Sequence, residues 1–224
     1  LRLFDCSIPS NGAAAVILSK DKSDIEITGA GLSTSNLTSF EREDMTSWNS
    51  TINSAKAAYS QSGITPKDID IVEIHDAFTP VELISYEDLG FCKKGEGPNL
   101  IREGITKING ALPVNTSGGL KAKGHPISAT GISQIYELVL QLRGQADKRQ
   151  VDNIKYALAH NIGGAGSIAS VHILKKAKKN KLNNRQGKLD IFFNRFLFMN
   201  NNIWIPTYDF TNKVIYNRLR NRSP

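Results

Sequence analysis

Apolar residues along the chain fall into short branched runs, which predict strands, and into stripes at helical spacing, which predict helices. The clearest stripe predicts a helix over 126–144. Further helices are predicted over 45–63 and over 80–90, where Pro80 suits a first turn and Gly90 follows the end. Strands are predicted at 11–18, 25–34, 156–161 and 167–174, within 68–78 as far as His75, and at the start of 110–119, which runs into a glycine-rich turn.

The order of these elements predicts the fold class. The run over 11–18 reads as a fully buried strand, and from residue 25 on strands alternate with helices until the last two strands. Those two are joined by "IGGAG" and should pair antiparallel. The alternation predicts a layered α/β domain with a mainly parallel sheet covered by helices.

Charge divides the chain near residue 175. The segment 175–224 holds twelve Lys and Arg residues and two Asp residues, a net charge of +10, whereas the preceding residues carry a net charge of −3. The basic run that opens the segment is predicted to be disordered. The remainder is a small appended element, a membrane-surface segment or an accidental extension beyond the domain, and we assign it no function. A nucleic-acid partner would depend on this tail alone, so none is expected.

Other compositional features restrict location and partners. No apolar run reaches the ~18–20 residues that a membrane span needs. The two cysteines, Cys6 and Cys92, form no pair motif, and with no signal pattern at Leu1 they predict a reducing, cytoplasmic location. Lys93 and Lys94 beside Cys92 can lower its pKa, but an incidental thiol is the simpler interpretation.

Polar groups follow three of the predicted strands, where active sites of such sheets usually lie. His75 and Asp76 either orient a substrate or a water, or form a hydrogen-bonded turn. The turn 115–119 is either a tight turn or a close approach to a ligand. The glycines within 161–166 either form an oxyanion hole or a plain hairpin turn.

His125 stands between Gly124 and Pro126, just before the strongest predicted helix. Pro126 suits the first helical position, which would place His125 at or beside the N-cap, where the helix dipole favours a neutral ring. A neutral imidazole can accept a proton from a thiol or donate a hydrogen bond to a carbonyl oxygen. The alternative is a histidine that only caps the helix.

Four segments together resemble the C-terminal half of a thiolase: "NTSGGLKAKGHPISATG", "HDAF", "NIGGAG" and "DCSIPSNGAAAVIL". They are most similar to archaeal and sterol-carrier-protein-type thiolases. The resemblance implies a layered α/β/α fold, a βαβαβαββ half with a mixed, mainly parallel five-stranded sheet. It divides the chain into the last strand of the N-terminal half (1–20), the C-terminal domain (21–174) and the tail (175–224).

The resemblance also implies a reaction, the making or cleaving of the carbon–carbon bond of 3-ketoacyl-CoA through a cysteine-bound acyl group. The implied catalytic residues are His125, His75 and Gly163. Coenzyme A thioesters are the implied substrates, with no permanently bound cofactor and no metal, and a homo-oligomer is expected. The residues expected to contact substrate are Asn115, Gly118, Gly119, Phe78, Asn161 and His160.

The chain departs from the family in two ways. Asn161 stands where the family has an acid/base cysteine, and His75 or His160 is the hypothetical substitute. The nucleophilic cysteine belongs to the family's N-terminal half. We therefore expect a chain that is inactive alone, either a piece of a longer reading frame or completed by a separate polypeptide. The alternative is a non-catalytic thiolase-fold subunit that binds acyl-CoA or scaffolds a partner.

Overall fold

A computed structural model describes residues 2–177, 204–208 and 214–218. Strands β5 (Trp204–Tyr208) and β6 (Val214–Arg218) pair antiparallel, and the predicted disordered run falls, from residue 178 on, outside the described residues. The elements before them are β1 (Ile25–Thr34), α1 (Asn49–Ser62), β2 (Ile71–Ile74), α2 (Thr79–Asp88), α3 (Gly97–Arg102), α4 (Gly119–Lys123), α5 (Thr130–Arg143), β3 (Tyr156–Gly163) and β4 (Ile168–Lys176).

One sheet organises residues 25–176, with the strand order β1-β4-β3-β2. Strands β2 and β3 are parallel, and β4 is antiparallel to both of its neighbours, β1 and β3. Three strands therefore run in one direction and β4 runs against them. The predicted layered α/β class with a mixed sheet is confirmed, as is the antiparallel pair at the end of the domain.

The predicted fifth strand is reduced to a single bridge between Val114 and Val72 of β2. The Val72 N–H donates to Pro113 O at 3.0 Å, and the Asn115 N–H donates to Val72 O at 2.8 Å. The ladder cannot extend, because Pro113 has no N–H to donate and Asn115 has a φ of 52°, outside the extended region. The sheet of the described residues thus has four strands rather than five.

The prediction of a buried strand over 11–18 is wrong. These residues form no strand, and Ile17 and Leu18 remain 61% and 72% exposed. A fully buried strand needs a hydrogen-bonded neighbour and apolar layers on both faces. Among the described residues, no ladder or bridge joins 11–18 to a strand, so the run lacks the hydrogen-bonded neighbour that a strand needs.

Helices cover both faces of the sheet because each strand alternates its side chains between them. On one face, Val72, Leu158 and Val171 pack with α1, α2 and α3. On the other, Ile71, Ala157 and Leu174 pack under the stripe of α5, whose buried members are Ile135, Leu138, Val139 and Leu142. Burying side chains of this size stabilises the fold by roughly 1.5–3 kcal/mol each.

Glycines of β1 let α1 approach closely. A Cβ at Gly31 would lie 1.9 Å from the Ser54 carbonyl oxygen, and one at Gly29 would lie 2.2 Å from the Ala58 carbonyl oxygen. Contacts this short are impossible, so the small residues of "TGAG" set the distance between this helix and the sheet.

The second face is only partly covered. Helix α5 packs over β2, β3 and the end of β4, whereas β1 leaves Ile27 43% and Leu32 71% exposed on the same face. An open apolar area therefore lies beside α5. None of the helices in the described part of the chain is both long and apolar enough to cross a membrane.

Candidate active site

A cavity of about 950 Å³ opens on this face beside α5. Its walls are largely apolar, with a few polar groups, which is the usual character of a small-molecule site. Five of the predicted site residues line it: His75, Phe78, His125, Asn161 and Gly163. The ends of β2 and β3 and the segment before α5 thus bring together residues that are up to 88 positions apart in the sequence.

The other four predicted site residues, Asn115, Gly118, Gly119 and His160, do not line this cavity. His160 faces α1, where it is fully buried and its Nε2 lies 3.0 Å from Thr51 Oγ1. Its Nδ1 has no partner, and burial lowers its pKa to about 3, so the ring is neutral. This placement removes His160 from the candidate acid/base groups of the cavity.

The turn 115–119 is held by β2 and the residues that follow it. Asn115 Oδ1 accepts the Ile74 N–H at 2.7 Å, continuing the ladder with a side chain. Asp76 Oδ1 accepts the Leu120 N–H at 2.7 Å, and a Cβ at Gly119 would lie 2.3 Å from Asp76 Oδ2. Gly119 also has a φ of 64°. Close contact with Asp76, rather than with a ligand, therefore accounts for this glycine in the structure.

A buried carboxyl group that the sequence analysis missed lies beneath the same turn. Glu73 accepts hydrogen bonds from the Ser117 N–H at 3.0 Å and from the Ser117 hydroxyl at 2.6 Å. Burial raises its pKa to about 7, against the opposing effect of Lys123 Nζ at 3.9 Å, and Glu137 raises it further. In the sequence, the glutamate within the apolar run "DIDIVEI" was the feature that indicated a buried carboxyl group.

The N-terminal segment fixes the backbone of His125. The His125 N–H donates to Ile8 O at 2.8 Å, and the Ser10 N–H donates to His125 O at 3.4 Å. A turn separates His125 from α5, whose N-cap is Ala129. The predicted position at the N-cap is therefore wrong, because the chain turns through Ser128, with a φ of 73°, before the helix begins.

The His125 ring is nevertheless arranged as a neutral acceptor. Its Nδ1 lies 2.7 Å from Thr130 Oγ1, which lies 3.2 Å from Pro126 O. With the single hydroxyl proton donated to that carbonyl, Nδ1 carries the ring proton and Nε2 keeps its lone pair. Burial lowers the pKa of His125, against the opposing effect of the Asp76 charge. Burial, rather than a helix terminus, thus keeps the ring neutral.

His75 has the opposite arrangement. Its Nδ1 lies 3.1 Å from Asn161 Nδ2, and an amide nitrogen only donates, so Nδ1 accepts and Nε2 carries the proton. Burial, and secondarily the charge of His125, lowers the pKa of His75 to about 4. The two rings meet edge to face with centroids 5.0 Å apart. The pair therefore has one imidazole whose Nε2 donates and one whose Nε2 accepts.

The glycine turn 163–166 closes the end of β3 and forms part of the cavity wall. A Cβ at Gly166 would lie 2.2 Å from the Trp48 ring, and Gly166 has a φ of 89°. The Ser50 hydroxyl donates to Gly166 O at 2.6 Å. The turn is consequently fixed against the start of α1, which makes it a rigid boundary of the site.

Strand β4 contributes two lining residues that the sequence analysis did not name, Ser170 and His172. Both are half-buried, and burial lowers the pKa of His172. Their signal was the alternation in "SIASVHIL", where Ser170 and His172 occupy one face and Val171 and Ile173 occupy the other.

Neither cysteine lines the cavity. Cys92 packs against the core on the α1 side of the sheet, and burial raises its pKa to about 11. The neighbouring lysines therefore do not activate it. Cys6 lies in an isolated bridge with Phe78. Both thiols are free, and a reducing, cytoplasmic location stays a prediction.

Comparison with known proteins agrees with this fold. Residues 31–176 match the family model "Thiolase C-terminal domain-like". The chain is 45% identical over 183 residues to an acetyl-CoA acetyltransferase of Methanothermobacter thermautotrophicus, covering 79% of this chain and 48% of that protein. It is 40% identical over 180 residues to human sterol carrier protein 2, covering 75% of this chain and 33% of that protein.

A solved structure, the Ltp2-ChsH2(DUF35) aldolase, superposes with a TM-score of 0.62 at 31% identity, covering 70% of this chain and 40% of that chain. The chain belongs to the thiolase family, in which it matches the C-terminal domain. It spans about half the length of the archaeal relative and a third of the human one.

Proposed function

We propose that this chain provides the histidine-bearing side of a thiolase-type active site, which makes or cleaves the carbon–carbon bond of 3-ketoacyl-CoA. The observation that carries the proposal is the pair of neutral imidazoles, His75 and His125, facing one apolar cavity with opposite hydrogen-bonding atoms. The substrates are coenzyme A thioesters, and no permanently bound cofactor or metal is required.

In this proposal His125 is the general base. Its Nε2 lone pair takes the proton of a cysteine thiol, and the thiolate attacks the 3-keto carbon of 3-ketoacyl-CoA. The bond between C2 and C3 then breaks, the acyl group stays on the cysteine sulfur, and the electron pair moves to C2, which takes the proton that His125 received from the thiol as acetyl-CoA leaves. The thiol of a second coenzyme A then gives its proton to His125 and attacks the acyl carbon, and the cysteine thiolate leaves and takes that proton back. Condensation is the same sequence in reverse.

His75 acts as a hydrogen-bond donor in this scheme. Its Nε2–H stabilises the negative charge that develops on a thioester or keto oxygen, as oxyanion-hole donors do. The same proton argues against His75 as the substitute acid/base, since its other nitrogen already accepts from Asn161. Of the paired rings His75 and His125, His125 Nε2 is the nitrogen whose lone pair is free to take up a proton.

The thiol is proposed to come from a cysteine-bearing thiolase half, in the same or in a separate polypeptide. The support is the open apolar area beside α5, where Ile27 and Leu32 are exposed next to the cavity. A layer packed on this area would bury those side chains and carry a thiol towards His125. A homo-oligomer of the completed protein stays a prediction of the family resemblance.

A second candidate is a subunit that binds acyl-CoA without turnover. The observation that favours it is Asn161, which stands at the family's acid/base cysteine and is engaged in hydrogen bonds to His75 and Gln134. An amide does not titrate, so it cannot move the substrate's α-proton.

One experiment separates the two candidates. The chain is assayed for acetoacetyl-CoA cleavage alone and together with the N-terminal half of the archaeal acetyl-CoA acetyltransferase. Activity in the mixture, lost with His125→Asn or with a serine in place of the partner's nucleophilic cysteine, supports the enzyme. Acetoacetyl-CoA binding by calorimetry with no cleavage in the mixture supports the binding subunit. Neither binding nor cleavage, with both halves folded and associated, rejects both candidates.

A further inference from the structure

We infer that Gln134 is a positioning residue that dictates, through Asn161, which ring nitrogen of His75 carries the proton. The three side chains form one chain of hydrogen bonds from the interior of the sheet to the cavity. Its meaning for catalysis rests on the proposed function, but the hydrogen-bond chain itself does not.

The orientation of Gln134 is fixed by backbone. Gln134 is fully buried on α5, and its Nε2 donates to the His160 carbonyl oxygen at 2.9 Å, with the Glu73 carbonyl oxygen 3.5 Å away. Carbonyl oxygens only accept, so the amide nitrogen must face them. The Gln134 Oε1 atom therefore faces Asn161.

Asn161 takes its orientation from that oxygen. Its Nδ2 lies 3.2 Å from Gln134 Oε1 and 3.1 Å from His75 Nδ1. A flipped Asn161 would set its oxygen against the oxygen of Gln134, leaving two buried acceptors in contact. The amide nitrogen therefore donates one proton to Gln134 and the other to His75.

His75 is the end of this chain. Its Nδ1 faces an N–H and has to accept, so the proton of the neutral ring resides on Nε2. The alternative tautomer would place two N–H groups against each other. His125 is the titratable ring that contacts His75, at a centroid distance of 5.0 Å, and its Nδ1 bonds Thr130 rather than His75.

The inference also gives Asn161 a role that the family's acid/base cysteine at this position would not have. A thiol donates only weakly and cannot donate to two acceptors at once. In this chain, Asn161 fixes the tautomer of His75 and does not itself transfer a proton. Gln134 touches neither substrate nor thiol in the proposed mechanism, so its effect is one of positioning.

Nuclear magnetic resonance of the full chain with ¹⁵N-labelled histidine rings tests the inference directly. The His75 signals are assigned by their loss in His75→Gln. In the wild type we expect the Nε2–H tautomer of His75 to be favoured over the Nδ1–H tautomer by at least roughly tenfold, because the Nδ1–H tautomer leaves a buried donor without an acceptor. Gln134→Met should release Asn161 and bring the two tautomers to comparable populations.

Gln141→Met is the matched control. Gln141 is also buried on α5, two turns further on, and bonds Thr116, Glu137 and Arg149 rather than Asn161. This variant should lose stability while keeping the His75 tautomer. Asn161→Leu removes the donor itself and serves if Gln134→Met does not fold.

An unchanged Nε2–H signal in Gln134→Met or Asn161→Leu overturns the inference, and so does a wild-type ring protonated on Nδ1. In the mixture with a cysteine-bearing half, Gln134→Met should lower kcat more than it raises KM. If the wild-type mixture is inactive while the tautomer responds as expected, the proposed function fails and the positioning role stands.

Discussion

His75 and His125 meet edge to face, yet their rings are set by separate anchors. Asn161 holds the first ring and Thr130 holds the second. The centroid distance of 5.0 Å leaves room for both rings to reach one small group in the cavity. Because the two neutral rings have opposite tautomers, His75 is a hydrogen-bond donor at Nε2 and His125 is an acceptor at Nε2.

The first prediction concerns the anchor of His125. Thr130→Val removes the hydroxyl that binds Nδ1 without changing the side-chain volume much, so the ring can adopt either tautomer. With a cysteine-bearing half present, we expect acetoacetyl-CoA cleavage to fall by roughly tenfold, which is part of the about 10²–10⁴-fold that a general base contributes. Thr130→Ser keeps the hydroxyl and should retain most of the rate. Equal rates for the two variants would contradict this role.

The second prediction concerns Gly119. Gly119→Ala places a Cβ 2.3 Å from Asp76 Oδ2 and adds the cost of a left-handed residue with a side chain, about 1–2 kcal/mol. Gly144→Ala is the control, since it has a φ of 73° and nothing within 4 Å of the new Cβ. Urea unfolding should show a larger loss at 119 than at 144. Similar losses would mean that Asp76 moves aside freely.

The third prediction concerns Glu73. Its pKa is about 7 in the folded protein against 4.5 as the ordinary value, so the folded state binds its proton more tightly. Its contribution to stability is therefore complete below about pH 4.5 and falls as the pH rises towards 7. Glu73→Gln removes this titration. The free energy of unfolding of the variant relative to the wild type should rise from pH 4.5 to pH 8, and a constant difference would contradict the raised pKa.

The fourth prediction concerns His160, whose pKa is lowered to about 3 from an ordinary value of 6.5. The pH dependence of its stability contribution is opposite to that of Glu73, because on acidification the unfolded chain binds the proton at a higher pH than the folded chain does. Its stabilising contribution is complete above about pH 6.5 and falls as the pH is lowered towards 3. His160→Gln can still bond Thr51 and should reduce the loss of stability between pH 7 and pH 5. Chemical unfolding of the wild type and the variant at the two pH values measures this loss of stability. The same loss in both proteins would contradict the lowered pKa.

The fifth prediction concerns the open apolar area. The double substitution Ile27→Lys and Leu32→Lys places two charges on side chains that are already exposed, so stability should change little. We expect less self-association in sedimentation and no binding to a cysteine-bearing half. Ile101→Lys is the control, since Ile101 is 47% exposed on α3, on the other side of the sheet. Equal binding by the double variant and the control would place the contact elsewhere.

Much of the fold was predictable because its signals are local. The stripe of α5, the stop at Gly63 in a left-handed conformation and the alternation in β4 each follow from neighbouring residues. The prediction of a strand over 11–18 failed because burial of a strand depends on partners outside the run. The fifth strand failed because the backbone at Asn115 leaves the extended region, which an apolar pattern does not reveal.

The site was predicted only in part for the same reason. Motifs identified His75, His125 and Asn161, and the fold brings them to one cavity. His160 adjoins Asn161 in the sequence but faces the opposite side of the sheet, since neighbouring strand residues alternate. Gln134 carried no chemical signal in the sequence, because its position in a hydrogen-bond chain depends on backbone carbonyls of two strands.

The uncovered side of the sheet has a consequence for control of the chemistry. Ile27 and Leu32 share that side with the histidine cavity, so the proposed cysteine-bearing half, if it shields these two side chains, would also exclude water from the imidazoles. In the proposed enzyme, docking of that half and electrostatic tuning of the histidines would then be a single event.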